Sequence, residues 1–371
     1  MSERPLIHPA ELVAGRFRLV RRIGRGGMGS VWEAADIATG GCAAVKFIES
    51  DVPDDETRAA FENEAQATAR LRSPYIVAVL DHGVTEDGRP FLVMEHLHGE
   101  SLEHRLSRVG RLTVPHTADL LSQVCRGLAE AHEAGIVHRD LKPENIFLCT
   151  ANDGAERAKV VDFGMAIFLR PGDRRPTSPD ACAMLGTPCY MSPEQARGLG
   201  SVDHRADLWA LGVVAYRCVV GRVPFDGPSV GDLLVRICTE EPELPSTANP
   251  ALSRAFDAWF LKAAAREPQS RFSSAQELAA ALCRVADQDR KDGGGVEPCC
   301  GTRDSVGAPS NPSRDDVRHP SVRRPRSNGN GTTVIVLVAG TLVLAAVGVM
   351  AWRIAHAPSK SEAEPGASAR P

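Results

Sequence analysis

Eight consecutive residues carry the densest chemistry in this chain: His138-Arg139-Asp140-Leu141-Lys142-Pro143-Glu144-Asn145. They combine a candidate base, two cations and an amide. The flanks Ile136-Val137 and Ile146-Phe147-Leu148 are apolar. The octet therefore reads as a loop between buried elements, with its polar groups displayed at a cleft. Asp140 precedes Asn145 by five positions. That spacing suits proton acceptance at one end and metal binding at the other. Such chemistry requires partners from elsewhere in the chain.

Upstream, Phe17 to Ile23 reads as a strand and is followed by Gly24-Arg25-Gly26-Gly27-Met28-Gly29. A glycine run of this spacing opens a helix in dinucleotide-binding folds. Here Val31 and Trp32 suit a second strand, and Thr39-Gly40-Gly41 turns into a third, Cys42 to Ile48. The glycines thus fall at a hairpin, which excludes a dinucleotide oxidoreductase. Such a flap lets backbone N–H groups approach phosphate with no Cβ in the way. Lys46 lies in the apolar third strand, where its charge needs a partner. Phe61 to Leu71 reads as a helix whose Glu64 could reach Lys46. Strands are expected around Ile76–Leu80 and Phe91–Met94, and Glu95 to Glu100 is a polar break suited to a hinge. Thr117 to His132 places Leu120, Leu121, Val124, Leu128 and Ala131 at helical spacing. Beyond the octet, Val160-Val161-Asp162-Phe163-Gly164 adds a further carboxylate.

The elements that hold these residues must come from 371 residues, ample for two domains and a core. A net charge of -4 excludes a general nucleic-acid binder. Ten cysteines show no CxxC spacing and read as buried thiols in a reducing compartment. Residues 17–286 have globular composition, and residues 1–16 read as a leader. Residues 287–331 are rich in Gly, Pro, Ser and Arg and read as a disordered linker. Val334 to Trp352 is uncharged; its nineteen residues would span about 28 Å as a helix, close to the hydrocarbon thickness. One membrane span is expected over residues 332–352, followed by a short outer tail, 353–371. More arginine before the span than after it favours an inner N-terminal side. Met1 to Pro5 lacks an apolar signal core, in keeping with that orientation. Within the span Gly340 and Gly348 form no GxxxG, so helix pairing has little support there.

At this point the chain resembles the eukaryotic-like bacterial Ser/Thr protein kinases in a single-pass membrane form. The resemblance rests on Gly24-x-Gly26-x-x-Gly29-x-Val31, Ala43-Ala44-Val45-Lys46, His138-Arg139-Asp140 through Asn145, Asp162-Phe163-Gly164, and Ser192-Pro193-Glu194 where the family has Ala-Pro-Glu. It implies an α+β, bilobal protein-kinase fold: a small β-rich N-lobe and a larger helical C-lobe. It implies transfer of the ATP γ-phosphate, with Mg²⁺, to Ser or Thr of protein substrates in a bacterial inner membrane, the kinase domain being cytoplasmic. Asp140 would take the hydroxyl proton, Lys142 would add positive charge, and Asn145 and Asp162 would hold Mg²⁺. Lys46, paired with Glu64, would contact the α- and β-phosphates. Gly24, Gly26, Gly27 and Gly29 would cover the phosphates. Ile23, Val31, Ala44 and Phe147 would enclose adenine, with Met94 as gatekeeper and the backbone near Glu95 and Leu97 along its edge. Arg139 would meet a phosphate on Thr177 or Ser178, and Thr187 would bond Asp140 and Lys142. Asp207 would anchor the catalytic loop, and Arg271 would pair with Glu194. A homodimer is one expected route of activation. The competing class is a membrane-anchored pseudokinase, a scaffold that binds nucleotide or partners without turnover. It would lack the lysine, the base or the metal aspartate, and all three are present.

Overall fold

Alternating apolar side chains build the first half of the globular region. The computed structural model describes residues 7–26, 29–48, 62, 65–150, 154–163, 188–199 and 202–292. Strands β1 (Leu12–Val13), β2 (Phe17–Gly26), β3 (Gly29–Asp36), β4 (Cys42–Ile48), β5 (Val79–Val84) and β6 (Pro90–Glu95) form one antiparallel sheet in the order β1-β2-β3-β4-β6-β5. Along β4, Ala43, Val45 and Phe47 join Phe17, Leu19, Trp32, Phe91 and Val93 in one cluster. Ile48 joins Leu92 and Met94 in another. Side chains alternate across a strand. Ala44 and Lys46 therefore share the second face, in register with Met94 and Leu92. Gly29 opens β3 at φ 142°, a backbone value that favours glycine.

Three features differ from the sequence expectations in this half. The supposed leader is partly sheet: Val13 is buried, and Arg16 clamps Asp36 with bonds of 2.8 and 2.6 Å. Asp36 also accepts from the Ala38 N–H and the Thr39 hydroxyl, which ties down the β3–β4 turn. The strand expected at Ile76–Leu80 lies later, at Val79–Val84. Ile76 and Val77 instead cross to Val160, with Val77 N–H donating to the Val160 carbonyl at 2.9 Å. β5 borders the sheet, so it tolerates Asp81-His82-Gly83 and lacks the apolar signal of an inner strand. The helical run at 65–69 gives way to a turn at Arg70, short of Leu71.

The second half is helical apart from a small sheet of β7 (Gly99–Ser101), β8 (Ile146–Thr150) and β9 (Glu156–Val160). Gly99 joins the halves at φ 149°, and a Cβ there would lie 1.9 Å from the Leu148 carbonyl oxygen. Only glycine fits that approach. The helices are α1 (Leu102–Val109), α2 (Val114–Glu133), α3 (Pro193–Ala196), α4 (Arg205–Val220), α5 (Val230–Thr239), α6 (Pro245–Ala248), α7 (Arg254–Ala263) and α8 (Ala275–Asp292). Thr113 caps α2 by accepting from the His116 N–H, and Pro115 lies in its first turn. α4 buries residues on every side, including Leu208, Trp209, Leu211, Val213, Val214 and Tyr216. A helix apolar all round belongs in the centre of a core. α8 runs to Asp292, past residue 287 where the linker was expected to begin. Val285 and Ala286 are buried, and Arg290 pairs with Asp287 and with Asp119 on α2, which extends the helix. The described cysteines are free thiols. No helix among the described residues is long and apolar enough to cross a membrane. The expected linker beyond 292, the span at 332–352 and the outer tail lie outside the described residues.

One buried ion pair joins α3 to the loop before α8. Arg271 meets Glu194 at 2.6 and 2.7 Å and also donates to the carbonyls of Ala265, Arg205 and Arg266. All five guanidinium donors are thus used. The guanidinium also lies over the Trp209 ring, 5.2 Å from its centroid. Removing one partner of such a pair costs about 3–5 kcal/mol, because the other charge stays buried. Arg271→Met should lower the melting temperature by roughly 6–20 °C for a domain of this size. The double variant Arg271→Met/Glu194→Met should lose less than the single one. Thermal unfolding followed by circular dichroism checks this; a single variant that melts with the wild type contradicts it.

Candidate active site

The octet folds as the sequence suggests, in a loop between α2 and β8 with one 3-10 turn at Pro143–Asn145. Its centre is Asp140. Lys142 Nζ lies 2.8 Å from Asp140 Oδ2. Asn145 Nδ2 donates to the Asp140 carbonyl at 2.8 Å and reaches Oδ2 at 3.3 Å. Among the described residues Asp140 Oδ1 has no hydrogen-bond partner. The Asn145 amide oxygen likewise accepts no bond among them.

The loop is held from beneath. Asp207 on α4 accepts the His138 N–H at 2.9 Å and the Arg139 N–H at 2.8 Å, and it meets His132 Nε2 at 2.8 Å. Burial works against the Asp207 charge. The His132 bond, the nearby imidazoles and the His138 N–H outweigh it, so the carboxyl sits below its ordinary range. Arg139 itself is left-handed at φ 64°, and its side chain is exposed. His138 Nδ1 accepts from the Asp140 N–H at 3.3 Å, which places its proton on Nε2, donated to the Val161 carbonyl at 3.0 Å. The Val161 N–H in turn donates to the Asn145 carbonyl at 2.9 Å.

These bonds bring Asp162, the next residue, beside the octet. Asp162 is left-handed at φ 64°. Its Oδ1 lies 2.8 Å from Lys46 Nζ, and the lysine side chain is only 9% exposed. Burial would raise the Asp162 carboxyl, but the Lys46 ammonium outweighs it and holds the group below the usual carboxylate value. Among the described residues the partner of Lys46 is Asp162. The expected partner Glu64 lies outside the described residues, as do Gly27, Thr177, Ser178 and Thr187.

The adenine-side residues share one region. Ala44 and Met94 face each other across β4 and β6 and are buried. Val31 and Phe147 are half-buried, and Leu97 packs against the cluster that contains Met94. Ile23 is 41% exposed at the rim. Gly24 lies opposite Val31, and Gly26 opposite Gly29. The Glu95 N–H is taken by the Ala78 carbonyl at 2.9 Å. Leu97 has neither its N–H nor its carbonyl bonded among the described residues, which leaves a donor and an acceptor at the hinge. The site thus offers two ammonium groups, a carboxylate and, among the described residues, an amide oxygen and a backbone edge that carry no hydrogen bond. Mg²⁺ is held by one or two carboxylates together with substrate phosphates and water, so this donor set fits a magnesium nucleotide.

Three contributors escaped the sequence reading. His132 looked like the end of an amphipathic helix. Lys159 stands in no motif, yet its Nζ is 2.5 Å from Glu95 Oε1 across the hinge. Gln195 carried a readable sign, the Ser-x-x-Gln pattern of a capping box.

The depressed carboxyls of Asp162 and Asp207 stabilise the fold fully above the unfolded value, about 3.9. That stability is lost as pH falls through their lower folded values. Chemical denaturation at several pH values should show a decline only below about pH 4 from this source, and Asp207→Asn should make the decline shallower. An equally steep decline in the variant contradicts the assignment.

Comparison with known proteins adds the family. The profile of the protein kinase domain matches residues 17–291. The chain is 38% identical over 282 residues to the serine/threonine-protein kinase pkn3 of Myxococcus xanthus, covering 75% of this chain and 51% of that protein. It is 42% identical over 264 residues to Pkn1 of the same organism, covering 70% and 37%. It is 36% identical over 277 residues to PknB of Mycobacterium tuberculosis, covering 74% and 43%. The chain therefore spans about half or less of the length of these relatives. A crystal structure of the M. tuberculosis PknI kinase domain superposes with a TM-score of 0.62 at 29% identity, covering 76% of this chain and all of that one.

Proposed function

This chain belongs to the protein kinase family, and on that premise we propose that it transfers the γ-phosphate of ATP to Ser or Thr hydroxyls of protein substrates. One observation carries the reading. Asp140, Lys142 and Asn145 are joined on one loop by contacts of 2.8 Å, Lys46 meets Asp162 at 2.8 Å, and Val161, beside Asp162, is bonded to the same loop through Asn145 and His138. Bound ATP with its Mg²⁺ supplies the phosphoryl group and the cation that neutralises its charge. The chain supplies positioning and charge.

In this reading Asp140 orients the acceptor hydroxyl and takes its proton on Oδ1. Lys142, beside Oδ2, faces the transferred group with positive charge and favours a Ser or Thr acceptor. The Asn145 amide oxygen and the Asp162 carboxylate would hold the metal. Lys46 is poised against Asp162 and within the same site, where it can turn to phosphate oxygens. Ala44, Met94, Val31, Phe147 and the Leu97 backbone receive the base. A scaffold without turnover would require the loss of Lys46, Asp140 or Asp162, and none is lost.

We further propose that the apolar stretch from Val334 to Trp352 anchors the chain as one span, with the kinase domain on the cytoplasmic side. Its support is the sequence alone: an uncharged run of helix-spanning length after an arginine-rich segment. Phosphate on Thr177 or Ser178 facing Arg139, and pairing of two copies at the membrane, are the activating steps that fit this arrangement.

Incubation of the full chain with labelled ATP and Mg²⁺ should give phosphoserine or phosphothreonine on the chain or on an added protein. Asp140→Asn should lower the rate about 10²–10⁴-fold, the usual worth of a positioned base, and Lys46→Met should also abolish most transfer. Labelling that survives both substitutions contradicts the reading. Separately, the full chain should pellet with membranes and resist alkaline extraction, whereas a chain ending at residue 331 should not. Recovery of the full chain in the soluble fraction overturns the anchor.

A further inference from the structure

The peptide unit between Arg139 and Asp140 is gripped at both ends. Its N–H, on Asp140, donates to His138 Nδ1 at 3.3 Å. Its carbonyl, on Arg139, accepts from Gln195 Nε2 at 2.7 Å. That carbonyl belongs to a residue in the left-handed region, at φ 64°. A non-glycine residue stays there only when its surroundings hold it. Asp207 holds the N–H side of Arg139, and Gln195 holds the other. The plane of this peptide sets the φ of Asp140, and with it the direction of the Asp140 carboxylate.

Gln195 is itself locked. Its Oε1 accepts from the Ser192 N–H and the Ser192 hydroxyl, both at 3.1 Å, closing a capping box at the start of α3. The neighbouring Glu194 is fixed by Arg271. A side-chain amide is the group this place demands. Its two ends must donate to a carbonyl and accept from an N–H and a hydroxyl at once. A glutamate could do only the second.

We infer that Gln195 is a positioning residue for Asp140, tying the start of α3 to the strained peptide of the catalytic loop. The inference rests on the kinase reading above and deepens it. It also gives a physical route by which the segment ending at Ser192 is felt at the base: a shift of Ser192 moves Gln195, and Gln195 moves the Arg139 carbonyl.

The test is steady-state kinetics of the full chain in detergent, with magnesium ATP and a protein acceptor. Gln195→Glu keeps the acceptor for Ser192 but loses the donor to Arg139. It should lower kcat about tenfold, leave the KM for ATP unchanged within twofold, and melt with the wild type. Gln195→Met, which loses both ends, should fall at least as far in kcat. Ser192→Ala keeps the Ser192 N–H and so should lose much less. A Gln195→Glu chain with wild-type kcat overturns the inference while the kinase reading stands. So does a loss shared equally by kcat, the KM for ATP and melting temperature, which would mark a role in folding alone. Absence of transfer by the wild type, with Asp140→Asn as background, overturns both.

Discussion

The site depends on one buried carboxylate. Asp207 stands on α4, which is buried on every side, and accepts the backbone N–H groups of His138 and Arg139 while meeting His132. A charge placed there without these partners would be strongly unfavourable. With them it becomes an anchor, because the three donors have one arrangement that satisfies both oxygens. The strained φ of Arg139 follows from that arrangement. So does the place of Asp140, one residue on. The fold thus uses a polar group in an apolar core to fix a loop that apolar packing could not fix.

The opposing half of the site arises from a simpler rule. Alternation along β4 sends Val45 and Phe47 to the outer cluster and leaves Ala44 and Lys46 on the face toward the second lobe. Lys46 then meets Asp162, which follows Val161, whose backbone is bonded to both His138 and Asn145. In this state the lysine and the carboxylate satisfy each other. Both are groups that a magnesium nucleotide would engage. The hinge that joins the halves is narrow at Gly99, where only glycine clears the Leu148 carbonyl.

Much of this was legible in the residues. The β4 strand, the long α2 and the loop character of the octet follow from apolar periodicity, and the ordered motifs carried the family. Other parts were not. Ile76 and Val77 look like a strand, but their backbone partners lie on Val160, far along the chain, which local patterning cannot reveal. β5 is polar because it borders the sheet, and α8 outlasts its apolar pattern through Arg290 and its two aspartates. His132 and Gln195 are polar residues whose roles depend on contacts with Asp207 and Arg139, distant in sequence. Gln195 alone had a local sign, and that sign announced a helix start and not a link to the loop.

On the kinase reading, the Asp207 anchor makes the octet competent for transfer without itself binding nucleotide. Intact-mass measurement of the full chain after incubation with magnesium ATP, paired with nucleotide titration, tests it most directly in Asp207→Asn. The expected result is a folded variant that binds ATP with near wild-type affinity and gains no phosphoryl mass while the wild type does. A variant that gains phosphoryl mass at the wild-type rate contradicts it.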